Sequence, residues 1–303
     1  MMRVGIDVGG TKIAVGLVDG GNILAKERFA SYPGAPQSTI ADMAREVEAL
    51  VSAHGLGLDQ IEGVGVGFAG TVDSGAGVVR TSANLRWTDV DVRTPLSSAL
   101  GLPVRLVNDA DAAAWAEYRF GAARGYDSVV AITVGTGIGG ALIFGDRVLE
   151  GRHGLAGELG HFTYEPGGLP CGCGRVGCWE QYCSGSRMNA LAAERLPATN
   201  GLATARDVDP LAHAGDPVAL GIFEEIGTAL GAGMASLGMI FDPDLFLIGG
   251  GVSESGELLL EPTRREYTRQ MGLGGFPCAK IVAASLGNDA GIIGAADLGA
   301  AAG

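Results

Sequence analysis

Lysine is almost missing from this chain of 303 residues, standing only at Lys12, Lys26 and Lys280. Acidic residues outnumber basic ones 34 to 21, giving a net charge of −13. That balance leaves no basic stripe to neutralise a phosphate backbone and argues against a nucleic-acid partner. Long apolar runs are also lacking; none approaches the roughly 20 residues a membrane helix requires, so no membrane partner is expected. The amino terminus passes from Met-Met-Arg straight into an alternating apolar segment, without the basic patch, apolar stretch and cleavage site of a secretory signal. A cytoplasmic protein is expected. Cysteines number five, and an odd count in such a chain argues against a disulfide framework. No lysine follows a glycine, so there is no Walker loop.

Glycine, by contrast, is plentiful at 52 residues, and it punctuates apolar segments with no G-X-Y repeat. Residues 4–29 predict three strands, Val4 to Val8, Ile13 to Val18 and Ile23 to Phe29, turning at Gly9-Gly10 and Gly20-Gly21. Ile40, Met43, Val47, Leu50 and Val51 then recur at helical spacing. The strands "GVGVGF" and "VRLV" and a helix from about Ala110 to Phe120 follow. From Val129 the pattern restarts: buried strand, glycine loop with threonine, second strand, Gly-Asp turn, third strand. This is a weak internal repeat, read as two related halves of an α/β layered fold. Residues 185–240 predict a helical layer, "LFLIGGGVS" a late strand and loop, and the tail from Asn288 a helix.

Gly135-x-Gly137-x-x-Gly140 fits the dinucleotide fingerprint as a string, but the fingerprint needs a helix after its glycines. "ALIFGDRVL" is β-branched and broken by a turn, so a hairpin is expected instead. Glycine turns between strands can hold phosphate on backbone N–H groups, and each half offers one. The first, "DVGGTK", adds to Gly9 and Gly10 the Asp7 carboxylate for Mg²⁺, the Thr11 hydroxyl and the Lys12 ammonium. The second carries Gly135, Thr136 and Gly137. A third loop, with Gly250 and Gly251, is a candidate for adenine or ribose.

"CGCGRVGCWE" sets Cys171, Cys173 and Cys178 in one glycine-rich turn. C-x-C is too short for a thioredoxin pair, whereas three thiolates lack only one ligand of a tetrahedral structural zinc. His161 is expected to supply it, with Cys183 as the competing candidate. A filled shell leaves no position for an activated water, so the metal's role would be to staple the loop. It would thereby fix Glu180, two residues beyond the last thiolate, and Glu158, three before His161. Asn108-Asp109 marks a strand-to-helix junction, where α/β sheets commonly hold ligands. Asp109 either caps the helix or serves as the base in phosphoryl transfer, with Asn108, Glu158, His161 and Glu180 offering acceptors to a polyhydroxylated substrate.

With "GIDVGGTK", "GFAGTVD", "NDADAAAWAE", "VGTGIGG", "GELGH" and "CGCGRVGCWE" in this order, the chain resembles the ROK family of sugar kinases and repressors, within the actin-like ATPase fold. The resemblance implies a duplicated RNase H-like architecture with two domains around a cleft. The first would be residues 1–118 plus 289–303, the second 119–288 with the zinc loop. It further implies a base at Asp109, a sugar held by Gly70, Asn84, Asn108, Asp109, Glu158, His161 and Glu180, and Zn²⁺ on His161, Cys171, Cys173 and Cys178. The implied activity is phosphorylation of a hexose by ATP with Mg²⁺, most similar to actinobacterial-type glucokinases, in a homodimer or dimer of dimers. Ala69-Gly70 departs from the family's common Pro-Gly. No helix-turn-helix segment precedes the first motif, so a kinase is expected over a repressor. Other hexose acceptors (fructose, N-acetylglucosamine, N-acetylmannosamine), a non-catalytic sugar-sensing regulator and a zinc-dependent oxidoreductase are the alternatives.

Overall fold

The computed structural model describes residues 2–196 and 204–300, the side chain of residue 300 excepted. The chain forms two compact units, residues 1–125, 141–157 and 285–303 in one, and 126–140 and 158–284 in the other. The expected first domain also includes Met1 and residues 301–303, which lie outside the described residues.

The first unit begins with the expected meander, β1 (Met2–Val8), β2 (Lys12–Asp19) and β3 (Asn22–Ala30). Helix α1 (Pro36–Ala53) buries Ile40, Met43, Val47, Leu50 and Val51, the residues whose spacing predicted it. β4 (Ile61–Phe68) runs parallel to β1. A small antiparallel sheet of β5 (Thr71–Asp73), β6 (Val78–Ser82) and β7 (Trp87–Asp91) comes next, unforeseen because its strands are short and polar. After α2 (Arg93–Leu100), β8 (Val104–Asn108) lies parallel to β4 and runs directly into α3 (Asp109–Phe120). The main sheet thus has the order β3-β2-β1-β4-β8.

The second unit opens with β9 (Ser128–Val134), and β10 (Ile138–Phe144) follows the glycine loop and carries the chain back to the first unit after Gly140. The third strand expected after Gly145-Asp146 does not form. Val148 makes only an isolated bridge to Ile143, because Gly151 and Gly154 at positive φ turn the chain away. Helices α4 (Glu180–Cys183), α5 (Gly185–Arg195), α6 (Ala205–His213) and α7 (Pro217–Phe241) make the helical layer. They are followed by β11 (Leu245–Gly249), α8 (Glu257–Leu273) and β12 (Lys280–Ala283). The sheet order β10-β9-β11-β12 matches that of the first unit without a counterpart of β3. The closing helix α9 (Ala290–Ala300) belongs to the first unit.

One expectation about apolar length is corrected: α7, at 25 residues, is long and apolar enough by composition to cross a membrane. Glycines interrupt its apolar run, which hides the length in the sequence, and 61% of its most apolar window is buried inside the protein. Helix α8, for which no expectation was drawn from the sequence, carries Pro262 in its interior; the ring rests against Gly227 of α7, where a Cβ would collide.

The first unit's sheet is covered on both faces. Val4, Ile6, Val8, Ile13 and Val15 share a core with α1 and α2. On the other face, Gly16, Gly5 and Gly65 are direct partners across β2, β1 and β4. A Cβ on any of the three would run into Ile292 or the Ala295 carbonyl of α9. Gly294 in turn admits the Ala112 carbonyl of α3.

Glu117 of α3 is 1% exposed. Its carboxylate accepts from the backbone N–H groups of Ser285 and Leu286, both at 2.6 Å, from Ala122 N–H at 2.8 Å and from the Ser285 hydroxyl at 3.0 Å. Hydrogen bonds to a charged group contribute about 1.5–3 kcal/mol each, and orphaned donors add their own cost. Glu117→Ala is therefore expected to lower unfolding stability by about 3 kcal/mol or more, read as a fall in the urea midpoint.

Candidate functional site

In the first unit, the candidate residues gather at the carboxyl ends of three adjacent parallel strands, where α/β sheets place ligands. Asp7 is next to last in β1 and pairs in register with Gly67 of β4; Phe68, next along β4, pairs with Asn108 at the end of β8. Gly9 N–H donates to the Lys12 carbonyl at 3.0 Å, closing the tight turn that carries Gly10 and Thr11. Asn84 lies against Gly10 so closely that a Cβ there would sit 2.7 Å from the Asn84 Cβ. Thr11 and Lys12 are exposed, while Asp7 is half-buried beside the first turn of α9, 3.3 Å from where a Gly291 Cβ would stand. Burial pushes the Asp7 carboxyl above the usual carboxylate range, against the opposing pull of Lys12 and Arg28.

At the junction after β8, Asn108 and Asp109 both reach the Ala110 N–H, Asp109 through Oδ1 at 2.9 Å. Asn108 is the cap: its Oδ1 accepts from Ala110 N–H at 2.8 Å and Asp111 N–H at 3.2 Å. Its amide also donates to the Gly70 carbonyl at 3.0 Å. Gly70 has φ +142°, and a Cβ there would strike the Thr81 carbonyl, so the loop closes tightly even with Ala69 in front of it. Ser82 donates to the Ala69 carbonyl at 2.8 Å and fixes that loop from the other side. Asp109 is the first residue of α3, partly exposed at the same strand end.

The remaining candidates belong to the second unit. Ligand atoms of His161, Cys171, Cys173 and Cys178 all lie within 4.8 Å of one another, a grouping able to hold a metal ion. Cys183 is not in this group; it is fully buried and its thiol donates to the Trp179 carbonyl at 3.4 Å. Burial pushes the Cys171 thiol up to about 12 and raises Cys178, whereas the Arg175 backbone N–H lowers Cys173. Three sulfurs so placed cannot all ionise without a cation between them, which is the donor chemistry of a soft or borderline divalent metal. His161 turns Nδ1 to the sulfurs, 3.7 Å from Cys171 Sγ, and Nε2 to Glu158, 3.9 Å away.

Glu180 joins this knuckle to the second glycine loop. One carboxylate oxygen is 3.6 Å from His161 Nδ1 and accepts from the Cys171 thiol at 3.0 Å. The other accepts from Ile138 N–H at 3.4 Å and occupies the space a Cβ on Gly137 would need. The loop is tied down by the start of α5, residues the sequence reading passed over. Gly185 N–H donates to the Gly135 carbonyl at 2.8 Å, and Ser186 N–H and hydroxyl donate to the Thr136 carbonyl at 3.1 and 2.7 Å. The signal was available in Ser184, whose side chain caps α5. Beside this loop lies a cavity of about 1040 Å³, lined by Thr136, Asn189, Arg206, Asp209, Gly251 and Glu254 among others. Gly250, at φ +86°, packs on the Val134 backbone and leads Gly251 into that wall.

The ROK family model matches residues 3–302. A glucokinase of Streptomyces coelicolor is 40% identical over 98% of this chain and 97% of its own length. A crystal structure of a ROK family glucokinase from Streptomyces griseus, in complex with glucose and AMPPNP, superposes with a TM-score of 0.84 at 41% identity over 99% of both chains. The ROK hexokinase of Thermus thermophilus superposes at 0.83, with 38% identity over 98% of this chain and 97% of its own. The fold is accordingly the actin-like ATPase fold.

Because burial raises the Asp7 carboxyl, its ionised form weakens the folded state at pH values above its folded range. Asp7→Asn is expected to raise the urea midpoint at pH 7. The gain should shrink as pH falls through the carboxylate range and vanish below about pH 4, the unfolded value.

Proposed function

The chain belongs to the ROK family, and we propose that it transfers the terminal phosphoryl group of ATP to a hexose, glucose being the preferred acceptor. The observation that carries this reading is the division of labour after β8. Asn108 supplies the helix cap and ties down Gly70; the neighbouring Asp109 carboxylate shares only the Ala110 N–H, through Oδ1 at 2.9 Å, and stands partly exposed at the strand end. Likeness to a glucokinase whose crystal structure contains glucose and AMPPNP supports both the acceptor and the nucleotide.

In this proposal Asp109 accepts the proton of the sugar 6-hydroxyl as that oxygen forms its bond to the γ-phosphorus. The bond from the γ-phosphorus to the bridging oxygen breaks, and ADP leaves with the electron pair. Gly9, Gly10 and Thr11, and in the second unit Gly135, Thr136 and Gly137, cradle phosphate through backbone N–H groups and a hydroxyl. Lys12 offsets phosphoryl charge. Gly250 and Gly251 border the nucleoside. Asp7 would hold Mg²⁺, directly or through water; the ion would neutralise charge on the transferring group. Sugar hydroxyls are assigned to the Gly70 loop, Asn84, Asn108, Glu158, His161 and Glu180.

His161, Cys171, Cys173 and Cys178 fit a structural Zn²⁺, with four donors of the right type and no place for a reactive water. When bound, it staples the knuckle. His161 would give Nδ1 to the metal and leave Nε2 for the sugar. A homodimeric assembly and a cytoplasmic setting complete the proposal.

Asp109→Asn is expected to lower turnover about 10²–10⁴-fold in an ADP-coupled assay, the range of a general base, while hexose still binds in calorimetry. Turnover near that of the unmutated enzyme overturns the assignment. Metal analysis should find one zinc per chain, falling well below that in Cys178→Ser; a well-folded, zinc-free native enzyme would exclude the metal.

A further inference from the structure

Trp179 stands between a metal-ligand candidate, Cys178, and a sugar-ligand candidate, Glu180, and the reaction as described gives it no task. It has no exposed surface. Its indole N–H donates to the Ala229 carbonyl at 2.8 Å, near the middle of α7. That oxygen already belongs to the helix ladder and takes the indole on its second lone pair. One turn further along α7, Gly233 provides a notch for the ring, and a Cβ there would collide with Cε2 and Nε1 of the indole. Donor and notch together fix the ring both along the helix axis and against it; an apolar ring alone would fix only the second.

The knuckle is joined to this anchor at several points. Trp179 N–H donates to the carbonyl of Phe162, the residue after His161, at 3.1 Å, and the two rings are 5.2 Å apart. The Trp179 carbonyl accepts from the Cys183 thiol. Helix α7 is itself set closely on α8, with Gly231 facing the Thr263 carbonyl where no Cβ fits. Glu180 follows Trp179 directly and begins α4. A carboxylate one residue from a ring held this way inherits the position of α7.

We propose that Trp179 is a positioning residue for the hexose: by pinning the knuckle to α7 at Ala229 and Gly233, it holds the Glu180 carboxylate where sugar hydroxyls meet it. The proposal rests on the reading of Glu180 as a hexose ligand. The metal ties the knuckle to itself, and the indole ties it to the rest of the unit.

Two variants test it in the full-length, zinc-loaded protein: Trp179→Phe, which removes the donor, and Gly233→Ala, which pushes the ring from the α7 side. In each, KM for glucose is expected to rise about tenfold or more, since displacement of a binding group by about 1 Å costs up to 10². KM for ATP should stay within about twofold, and zinc at one per chain. A loss of thermal stability with the glucose and ATP KM values unchanged, or moved alike, overturns the proposal. Glu180→Gln separates this from failure of the underlying reading. If it leaves the glucose KM unchanged, the sugar-ligand assignment falls; if it raises that KM while Trp179→Phe does not, only the positioning role falls. Should neither anchor variant fold, ¹⁵N spectra of the unmutated enzyme decide. The indole signal that moves on zinc chelation must also move on saturation with glucose, and its remaining in place overturns the proposal.

Discussion

The first unit depends on the absence of three side chains. Gly16, Gly5 and Gly65 stand in one row across β2, β1 and β4, and over that row α9 brings its backbone against Gly5 and Gly65 and the Ile292 side chain against Gly16. Parallel strands need cover on both faces, and α9, seated this low, covers the sheet with Ile292 and Ala296 packed against Ala14 and Val18 of β2. The same approach brings the first turn of α9 to Asp7. A packing constraint in the middle of the sheet thereby sets the surroundings of a carboxylate at its end, and burial there is what lifts that carboxyl out of its ordinary range.

The second unit solves a charge problem in place of a volume problem. Cys171 and Cys178 are buried, with Cys173 at the surface beside them and a carboxylate in contact. Without a cation such a cluster resists ionisation; with one, it becomes a rigid corner. Glu180 spans from that corner to Ile138 of the glycine loop, so a residue suited to sugar hydroxyls also borders the loop suited to phosphate. Trp179 explains why the corner does not drift as a body: its ring is set into α7, the most buried helix of the unit.

Strands β1 to β3, the two glycine turns and the cysteine knuckle were legible in the sequence because each is local. Alternation with glycine turns predicts β1 to β3, helical spacing predicts α1, and three cysteines within eight residues predict a ligand cluster. Less local features were hidden. Residues 257–273 gave no expectation, and the seat of Pro262 in α8 is set by Gly227, 35 residues earlier, whose missing Cβ leaves room for the ring. The Gly-Asp turn suggested a third strand in the second half, but a turn signal cannot say whether a partner edge awaits the returning chain. Gly185 and Ser186 escaped notice because their task, holding the carbonyls of Gly135 and Thr136, is defined by residues 50 positions away.

What the sequence by itself determined, then, is chemistry carried in short segments: which loops can receive phosphate, which side chains can hold a metal, and that Asn108-Asp109 opens a helix. Tertiary structure alone decided the roles within those segments. It made Asn108 the cap, set Cys183 apart from the metal cluster, gave Glu117 three donors from the distant Ser285 and Leu286 and seated Trp179 on Gly233. The reason is physical: hydrogen-bond partners and van der Waals space are properties of neighbours in three dimensions, and most of these neighbours are far apart along the chain.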